Sequence, residues 1–347
     1  MADPLPIRGL LYRKEGEGMN RRSFILRCLA AAGRWQAGSW QAAERLWAAA
    51  ESHGDREYYR IVVLSDPHLP VKLKKHKNAA TRKIIREQKL KVIQDINGWS
   101  DVDEITVTGD IAAQFGVESE YAYAKKYFSG FASPLHILAG NHDYIYEDEP
   151  SENGKNVWAD AAGRQRKLDR FKEIWQMPSL SYVKEAGGCR LFYLSPESLE
   201  KYSVALSQQQ LAWLRQELAK APQKPAIVFF HAPLAGTLAD YNKSVNHPNA
   251  IAQPEAAIDQ LLRDNPQVFL WVSGHTHTPA TEPSYADEKI NLYAGRVMDI
   301  HTSTLDRTMV WSNSLYLYPD RVEVKTFNHT EGRWEDKLDR QIRLPRI

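Results

Sequence analysis

Five short polar motifs in this sequence combine the residue types that bind divalent metal ions. In chain order they are Ser65-Asp66-Pro67-His68, Gly109-Asp110, Gly140-Asn141-His142-Asp143, Phe230-His231-Ala232-Pro233 and Gly274-His275-Thr276-His277. Carboxylate oxygens, imidazole nitrogens and amide oxygens all bind borderline and hard divalent cations. A single carboxylate such as Asp110 can bridge two ions, and Asn141 adds an oxygen without adding negative charge. The motifs therefore predict a metal centre if the fold brings them together.

Each motif begins where a predicted buried strand ends. From residue 60 onward, apolar runs of strand length alternate with segments of helical length, which predicts an α/β sheet with buried strands. The predicted strands are Ile61–Leu64, Ile105–Val107, Leu135–Ala139, Ile227–Phe230 and Val268–Val272, and the helical segments are 79–96, 118–129, 164–176, 207–220 and 254–263. In such sheets the carboxyl ends of the strands face one crevice, so we expect the five motifs to meet there.

Two further local patterns refine the predicted elements. Ser207, with Gln210 three residues later, is typical of a capping box and predicts a helix over Gln208–Lys220. Near the end of the chain, Leu315–Tyr318 and Val322–Phe327 flank Pro319-Asp320-Arg321, which predicts an antiparallel hairpin with Trp311 and Trp334 packed against it.

Simpler interpretations exist for each motif residue taken alone. A single histidine after a strand is commonly a hydrogen-bonded residue at the sheet edge, and Asp110 could be a helix N-cap. Because these residues occur together with Asp66 and Asn141, a shared metal centre is the better interpretation. The remaining histidines lack a motif and are predicted to be surface or packing residues: His53, His76, His136, His247, His301 and His329.

Composition narrows the classes of protein that fit. The chain has 347 residues, of which 43% are hydrophobic and 25% charged, as in ordinary globular proteins. The net charge of +2 is too balanced to indicate nucleic acid or an acidic membrane surface as partner. Cys28 and Cys189 are too few for a disulfide framework and are predicted to be unpaired thiols. No apolar run approaches the roughly 20 residues of a membrane span.

Residues 1–58 are predicted to form an N-terminal extension, because they are rich in Ala, Arg, Gly and Trp and lack strand-like runs. Within them, 19–26 resembles a twin-arginine export signal with Arg21 and Arg22 as the pair. Arg27 and Arg34 interrupt the apolar stretch that should follow, and the alternative is an amphipathic helix or a loose tail. We favour export over a cytoplasmic location.

The ordered motifs D-x-H, G-D, G-N-H-D, a single H and G-H-x-H resemble the calcineurin-like metallophosphoesterase superfamily. The resemblance covers roughly residues 60–280, and all five motifs occur in the family's order. It implies an α/β fold in which a sandwich of two sheets is flanked by helices. We expect the catalytic domain to span residues 59–347 and the C-terminal hairpin to join the second sheet.

The resemblance also implies a role for each motif residue. Seven side chains are implied as ligands of two divalent ions: Asp66, His68 and His277 on the first, Asn141, His231 and His275 on the second, and Asp110 on both. His142 resembles the family's histidine that binds no metal and helps to protonate the leaving group. Asp143 is expected to support the turn or to orient a ligand. The ions would be Mn, Fe or Zn.

The implied activity is hydrolysis of a phosphate ester by a hydroxide held between the two ions. The substrate would be a small mono-, di- or cyclic ester, selected by the long connections 70–83, 144–165 and 234–250. One alternative is a catalytically inactive scaffold of the same fold that binds a protein, although such a scaffold would be expected to lack ligands that are present here. Another is a nuclease, for which only the basic residues in 72–77 and 82–83 argue, and these fit a solvated surface equally well.

Overall fold

Thirteen strands, arranged in two sheets, form the centre of the part of the chain that the structure describes. The structure is a computed structural model and describes residues 56–199, 201–239 and 245–346. The strands are β1 Tyr59–Leu64, β2 Glu104–Val107, β3 Leu135–Ile137, β4 Ser181–Ala186, β5 Cys189–Leu194, β6 Ala226–Phe230, β7 Val268–Ser273, β8 Leu292–Tyr293, β9 Val297–His301, β10 Trp311–Leu317, β11 Arg321–Asn328, β12 Arg333–Trp334 and β13 Arg340–Arg343. The predicted export signal and nearly all of the predicted N-terminal extension lie outside the described residues.

Both sheets are mixed, with parallel strands at the positions that lead to the motifs. The first sheet has the order β12-β11-β10-β1-β2-β3, with β13 paired to β11, and the second has the order β4-β5-β6-β7-β9-β8. β1, β2 and β3 run parallel, as do β5, β6, β7 and β9. The carboxyl ends of the parallel strands within each sheet therefore lie at one edge.

Five helices cover the outer faces of the two sheets within the described residues. They are α1 Ala79–Gly98, α2 Glu118–Phe128, α3 Ala161–Trp175, α4 Gln208–Ala219 and α5 Glu255–Asp264. The predicted capping box is confirmed, because the Gln210 amide donates to Ser207 Oγ at 3.1 Å and the Ser207 amide donates to Gln210 Oε1 at 3.0 Å. None of these helices combines the length and apolarity that crossing a membrane requires.

Side chains of β1 show why the strands are buried on both faces. Val62 and Leu64 pack with the helices that cover the first sheet, whereas Ile61 and Val63 pack between the two sheets. A separate core joins the second sheet to α4 and α5. Because each central strand contacts apolar groups on both sides, its sequence is a continuous apolar run without alternation. The predicted two-sheet sandwich flanked by helices is confirmed.

The C-terminal hairpin is also confirmed, with longer arms than the sequence predicted. β10 and β11 pair from Trp311↔Asn328 to Leu317↔Val322. Trp334 contacts Phe327 on the second arm, with ring centroids 5.0 Å apart. The hairpin belongs to the first sheet, through pairing of β10 with β1. The expectation that it would join the second sheet is wrong, because β10 pairs directly with β1, the first predicted strand.

One buried carboxylate, Glu104 at the start of β2, connects the two sheets. Its oxygens accept hydrogen bonds from Tyr59 Oη at 2.7 Å and from Tyr193 Oη at 2.6 Å. Lys184 Nζ donates to Glu104 Oε2, and His136 Nε2 lies 3.3 Å from the same oxygen. Burial raises the pKa of Glu104, but the charges of His136 and Lys184 and their hydrogen bonds outweigh it and hold this pKa well below its usual value.

Glu104→Gln is expected to lower the free energy of unfolding at pH 7 by about 2 kcal/mol, because Lys184 loses its carboxylate partner while staying largely enclosed. A carboxyl whose folded pKa lies below its unfolded value of about 4.3 stabilises the fold above that pH and loses this effect as the pH falls. The difference between wild type and variant, measured by urea denaturation, should therefore shrink from about pH 6 to pH 3.

The control is Glu185→Gln on neighbouring β4, whose carboxylate is 60% exposed and pairs with Lys224 at 2.7 Å. Such a surface pair contributes about 0.5 kcal/mol or less, so this variant should remain close to wild type. A Glu104→Gln difference that stays constant with pH would show that the carboxylate's charge does not stabilise the sandwich.

Candidate metal centre

The five motifs occupy the loops that leave the carboxyl ends of five strands, as the sequence predicts. Ser65 directly follows β1, His231 directly follows β6, and Gly274 directly follows β7. Gly109 and Gly140 stand two and three residues beyond the ends of β2 and β3. All eight predicted side chains, from Asp66 to His277, are brought into one cluster by the two sheets.

The first group of potential ligands contains Asp66, His68, Asp110 and His277. His277 Nε2 lies 2.9 Å from Asp66 Oδ1 and 3.1 Å from His68 Nε2. His68 Nε2 lies 3.5 Å from Asp110 Oδ2. One ligand atom from each of the four residues lies within 4.8 Å of all the others, which is the spacing that a single cation can bring together.

The second group contains Asp110, His231 and His275, with Asn141 beside them. His231 Nε2 lies 3.0 Å from His275 Nδ1, 3.1 Å from Asn141 Oδ1 and 3.4 Å from Asp110 Oδ1. The two oxygens of Asp110 thus face different groups, Oδ2 the first and Oδ1 the second. This arrangement is the one a bridging carboxylate requires.

The protonation pattern of His231 and His275 shows that the second group fits a cation. In each ring, the outer nitrogen is the one that points away from the other ligand atoms, and it faces a backbone carbonyl. His231 Nδ1 lies 2.8 Å from Thr108 O, and His275 Nε2 lies 2.7 Å from Asn249 O. These contacts assign the ring protons to the outer nitrogens, so the inner nitrogens present lone pairs to each other. Two lone pairs 3.0 Å apart repel, and a cation between them converts the repulsion into attraction.

The backbone of the cluster is strained at five of the seven predicted ligands. Asp66, His68, Asp110, His275 and His277 all have φ between 41° and 65°, in the left-handed region. Non-glycine residues rarely adopt this conformation, although Asp and His do so more readily than most. Strain of about 1–3 kcal/mol per residue persists only where the surroundings hold it and is concentrated at functional sites.

Two glycines allow the loops to approach closely. A Cβ on Gly140 would lie 2.3 Å from both the amide nitrogen and Oδ1 of Asp110. A Cβ on Gly274 would lie 1.8 Å from Ser65 Oγ and 2.6 Å from Asp66 Oδ2. Any larger residue would displace a predicted ligand, which explains the glycine in these two motifs.

Asp143 joins the second and third motifs through backbone hydrogen bonds. Its carboxylate accepts from the amides of Gly140 at 2.8 Å, Ala112 at 2.9 Å and Ile111 at 3.1 Å. Tyr121 Oη donates to the same carboxylate at 3.2 Å. This places Asp143 behind the ligands, where it fixes the loop that carries Asp110.

Burial favours the neutral form of the histidines in the cluster, and it also favours the neutral form of the Asp110 carboxyl. Burial, and next the charge of His231, lowers the pKa of His275 to about 3, and burial lowers that of His277 to about 4. Burial and then the negative charge of Asp66 raise the pKa of Asp110 well above its usual value. Neutral imidazoles have a free lone pair for a metal ion. A divalent cation would also offset the repulsion between the two neighbouring carboxylates, so that both could ionise.

His142 lies beside the ligands without belonging to either group of the described residues. Its Nδ1 lies 3.2 Å from Gln114 O, and its ring contacts those of His68 and Tyr146 at centroid distances of 5.0 and 5.2 Å. Its backbone amide donates to Asp110 Oδ1 at 2.8 Å. With Nδ1 held by Gln114, the other ring nitrogen is the one that can exchange a proton with a bound molecule.

Some residues that shape the site carry little or no signal in the sequence. Asn249 acts through its backbone carbonyl, which any residue could supply. Asp299 lies inside β9 and accepts from the Leu234 amide at 2.7 Å and from Thr237 Oγ1 at 3.0 Å, which fixes the loop after His231. An acidic residue within an apolar strand is the only hint of this role.

Known proteins share both the motifs and the fold. A sequence model of the calcineurin-like phosphoesterase family matches residues 59–279. A curated protein from Arcobacter nitrofigilis, described as a probable glycerophosphodiester phosphodiesterase GpdQ, is 25% identical over 222 residues, which is 64% of this chain and 72% of that protein.

Solved structures show the same fold at lower sequence identity. A dimetal phosphatase from Danio rerio superposes with a TM-score of 0.54 at 16% identity and covers 84% of this chain and 100% of its own. A purple acid phosphatase from yellow lupin seeds gives a TM-score of 0.55 at 14% identity over 82% of this chain and 54% of its own. Because the family model matches residues 59–279, more than half of the chain, the chain belongs to the calcineurin-like phosphoesterase family.

Proposed function

We propose that this phosphoester hydrolase cleaves a phosphodiester at a centre of two divalent ions. Seven side chains would hold the ions: Asp66, His68 and His277 one, Asn141, His231 and His275 the other, and Asp110 both. When bound, such a pair of ions supplies an activated hydroxide near neutral pH and neutralises charge on the phosphate.

The observation that carries this proposal is the position of Asp110 between two groups of inward-facing lone pairs. Its oxygens lie 3.5 Å from His68 Nε2 and 3.4 Å from His231 Nε2. A structural role alone would leave His231 and His275 with opposed lone pairs 3.0 Å apart and no compensation. A scaffold that had lost catalysis would have no reason to retain this arrangement.

Preference for a diester is supported by the curated relative, whose description names a glycerophosphodiester phosphodiesterase. Asn141 also supports an anionic substrate, because its neutral oxygen takes a ligand position without adding repulsion toward phosphate. The family membership itself extends to esters in general, so the diester is the specific part of the proposal.

The leaving group would be protonated by His142. Gln114 O holds Nδ1 at 3.2 Å and thereby aims the opposite ring nitrogen away from the backbone. Burial and then the positive charge of Lys72 lower the pKa of His142, so the free site keeps this imidazole neutral. An arriving phosphate anion would offset the charge of Lys72 and raise the pKa of His142. The opposite ring nitrogen would then take up a proton from solvent and give it to the departing alkoxide.

Hydrolysis of bis(4-nitrophenyl) phosphate is expected to require added Mn²⁺ or Zn²⁺ and to stop on chelation. Asp110→Asn should reduce kcat/KM by about three orders of magnitude, or ~4 kcal/mol of transition-state stabilisation, because both ions lose a shared charge. Asp259→Asn on α5, whose carboxylate pairs with Arg263 at 2.8 Å, is the matched control and should keep wild-type activity. Metal-loaded wild type that is inert toward diesters, monoesters and cyclic esters alike would refute the proposal and favour the scaffold.

His142→Ala is expected to retain both metal ions, measured by plasma mass spectrometry, and to lose rate according to the leaving group. With an alkyl leaving group the loss should be about 10²–10⁴-fold, since the alkoxide needs a proton. With 4-nitrophenolate the loss should be much smaller, since this group departs without one. Equal losses on both substrates would mean that His142 positions the substrate and transfers no proton.

A further inference from the structure

Two positive side chains contact His277 at atoms other than Nε2, the nitrogen that faces the predicted metal ions. Lys75 Nζ lies 3.5 Å from His277 Nδ1, and Arg307 Nη2 donates to His277 O at 2.7 Å. Lys72, half-buried, lies on the same connection after the first motif. Burial lowers the pKa of its ammonium, and attraction to the predicted ligands Asp110 and Asp66 opposes that shift.

The connection that carries these lysines is fixed at several points. His76 Nε2 lies 2.8 Å from Asp306 Oδ2, and the His76 amide donates to Lys72 O at 3.0 Å. Lys89 Nζ donates to Pro70 O at 3.0 Å, and Arg82 Nη1 donates to His76 O at 3.0 Å. A solvated basic loop would not need such anchoring, so these contacts favour a role that depends on where the lysines stand.

One buried acidic residue beside this connection, Asp306, already has two basic partners. Asp306 is buried and accepts from Lys89 Nζ at 2.9 Å as well as pairing with His76. Burial, and next repulsion by Lys72 and Arg307, lowers the pKa of Lys75, and attraction to Asp306 and Asp66 opposes that shift. With two divalent ions beside them the repulsion would grow, because Asp66 and Asp110 would then be engaged by the ions.

Metal binding would also release Lys75 from its histidine contact. If His277 binds an ion through Nε2, its ring proton must sit on Nδ1, which then cannot accept a hydrogen bond from an ammonium. Lys75 would be left next to an N–H group, about one imidazole ring away from the ion. An anion at that position would be contacted by Lys75 and His277 together.

We propose that Lys75 and Arg307 form an anion pocket for a second acidic group of the substrate, separate from the scissile phosphate. The preferred substrate is then a diester with a carboxylate or a further phosphate on one arm. This inference rests on the proposed function, because it assigns the scissile phosphate to the metal centre.

The test compares two product analogues that differ by one carboxylate, 2-carboxyethylphosphonate and propylphosphonate. Their Kd values are measured by calorimetry on Mn²⁺-loaded full-length protein, so that no turnover is needed. Wild type should bind the carboxylate analogue at least about tenfold more tightly, which corresponds to ~1.4 kcal/mol. Lys75→Met and, separately, Arg307→Met should reduce this ratio to about threefold or less, and Lys75→Arg should restore it.

Lys83→Met is the matched control, because this lysine is 74% exposed on α1 and pairs with Glu87 at 3.8 Å. It should leave the ratio unchanged. Equal affinities in wild type, no measurable binding of either analogue, or a ratio that survives Lys75→Met would overturn the pocket. The diester assay is independent of this ratio, so an inert enzyme that still prefers the carboxylate analogue would refute the reaction and retain the pocket.

Discussion

The structure depends on holding one carboxylate, Asp110, between two sets of nitrogen ligands. Its oxygens face His68 on one side and His231 on the other, at 3.5 and 3.4 Å. His68 belongs to the loop after the central strand of one sheet and His231 to the loop after a strand of the other. A two-sheet sandwich is therefore needed to bring both imidazoles to a single carboxylate.

The loops achieve this position at the cost of backbone strain that hydrogen bonds offset. The Asp66 amide donates to Gly109 O and the His68 amide donates to Asp110 O, each at 3.0 Å. These contacts lock the first motif to the second, while Asp143 locks the second to the third through the amides of Ile111 and Ala112. Left-handed residues and close glycine contacts are thus properties of one connected set of turns, and the ligand geometry follows from it.

The sequence predicted the central strands because they are buried on both faces and read as continuous apolar runs. It missed β5, where Arg190 interrupts the run, and β9, where Asp299 lies within the strand. Both polar groups find partners that only the fold brings near: Glu217 for Arg190, and Leu234 and Thr237 for Asp299. A local sequence pattern carries no information about a partner that is distant in the sequence.

For the site, motif order predicted which side chains would meet, since parallel strands deliver their carboxyl ends to one edge. It could not predict the arrangement of the basic connection after the first motif, which the sequence left equally compatible with a solvated surface. This arrangement is fixed by Asp306, more than 200 residues away in the sequence, which contacts His76 and Lys89. Substrate selection by such long connections depends on tertiary contacts of this kind.

Anomalous diffraction from crystals of the Mn²⁺-loaded protein tests the central claim most directly. The account predicts two manganese peaks, one bounded by Asp66, His68 and His277 and the other by Asn141, His231 and His275, with an Asp110 oxygen about 2.0–2.3 Å from each. A single peak, or peaks that leave Asp110 without a metal contact, would contradict the bridging role on which the proposed chemistry depends.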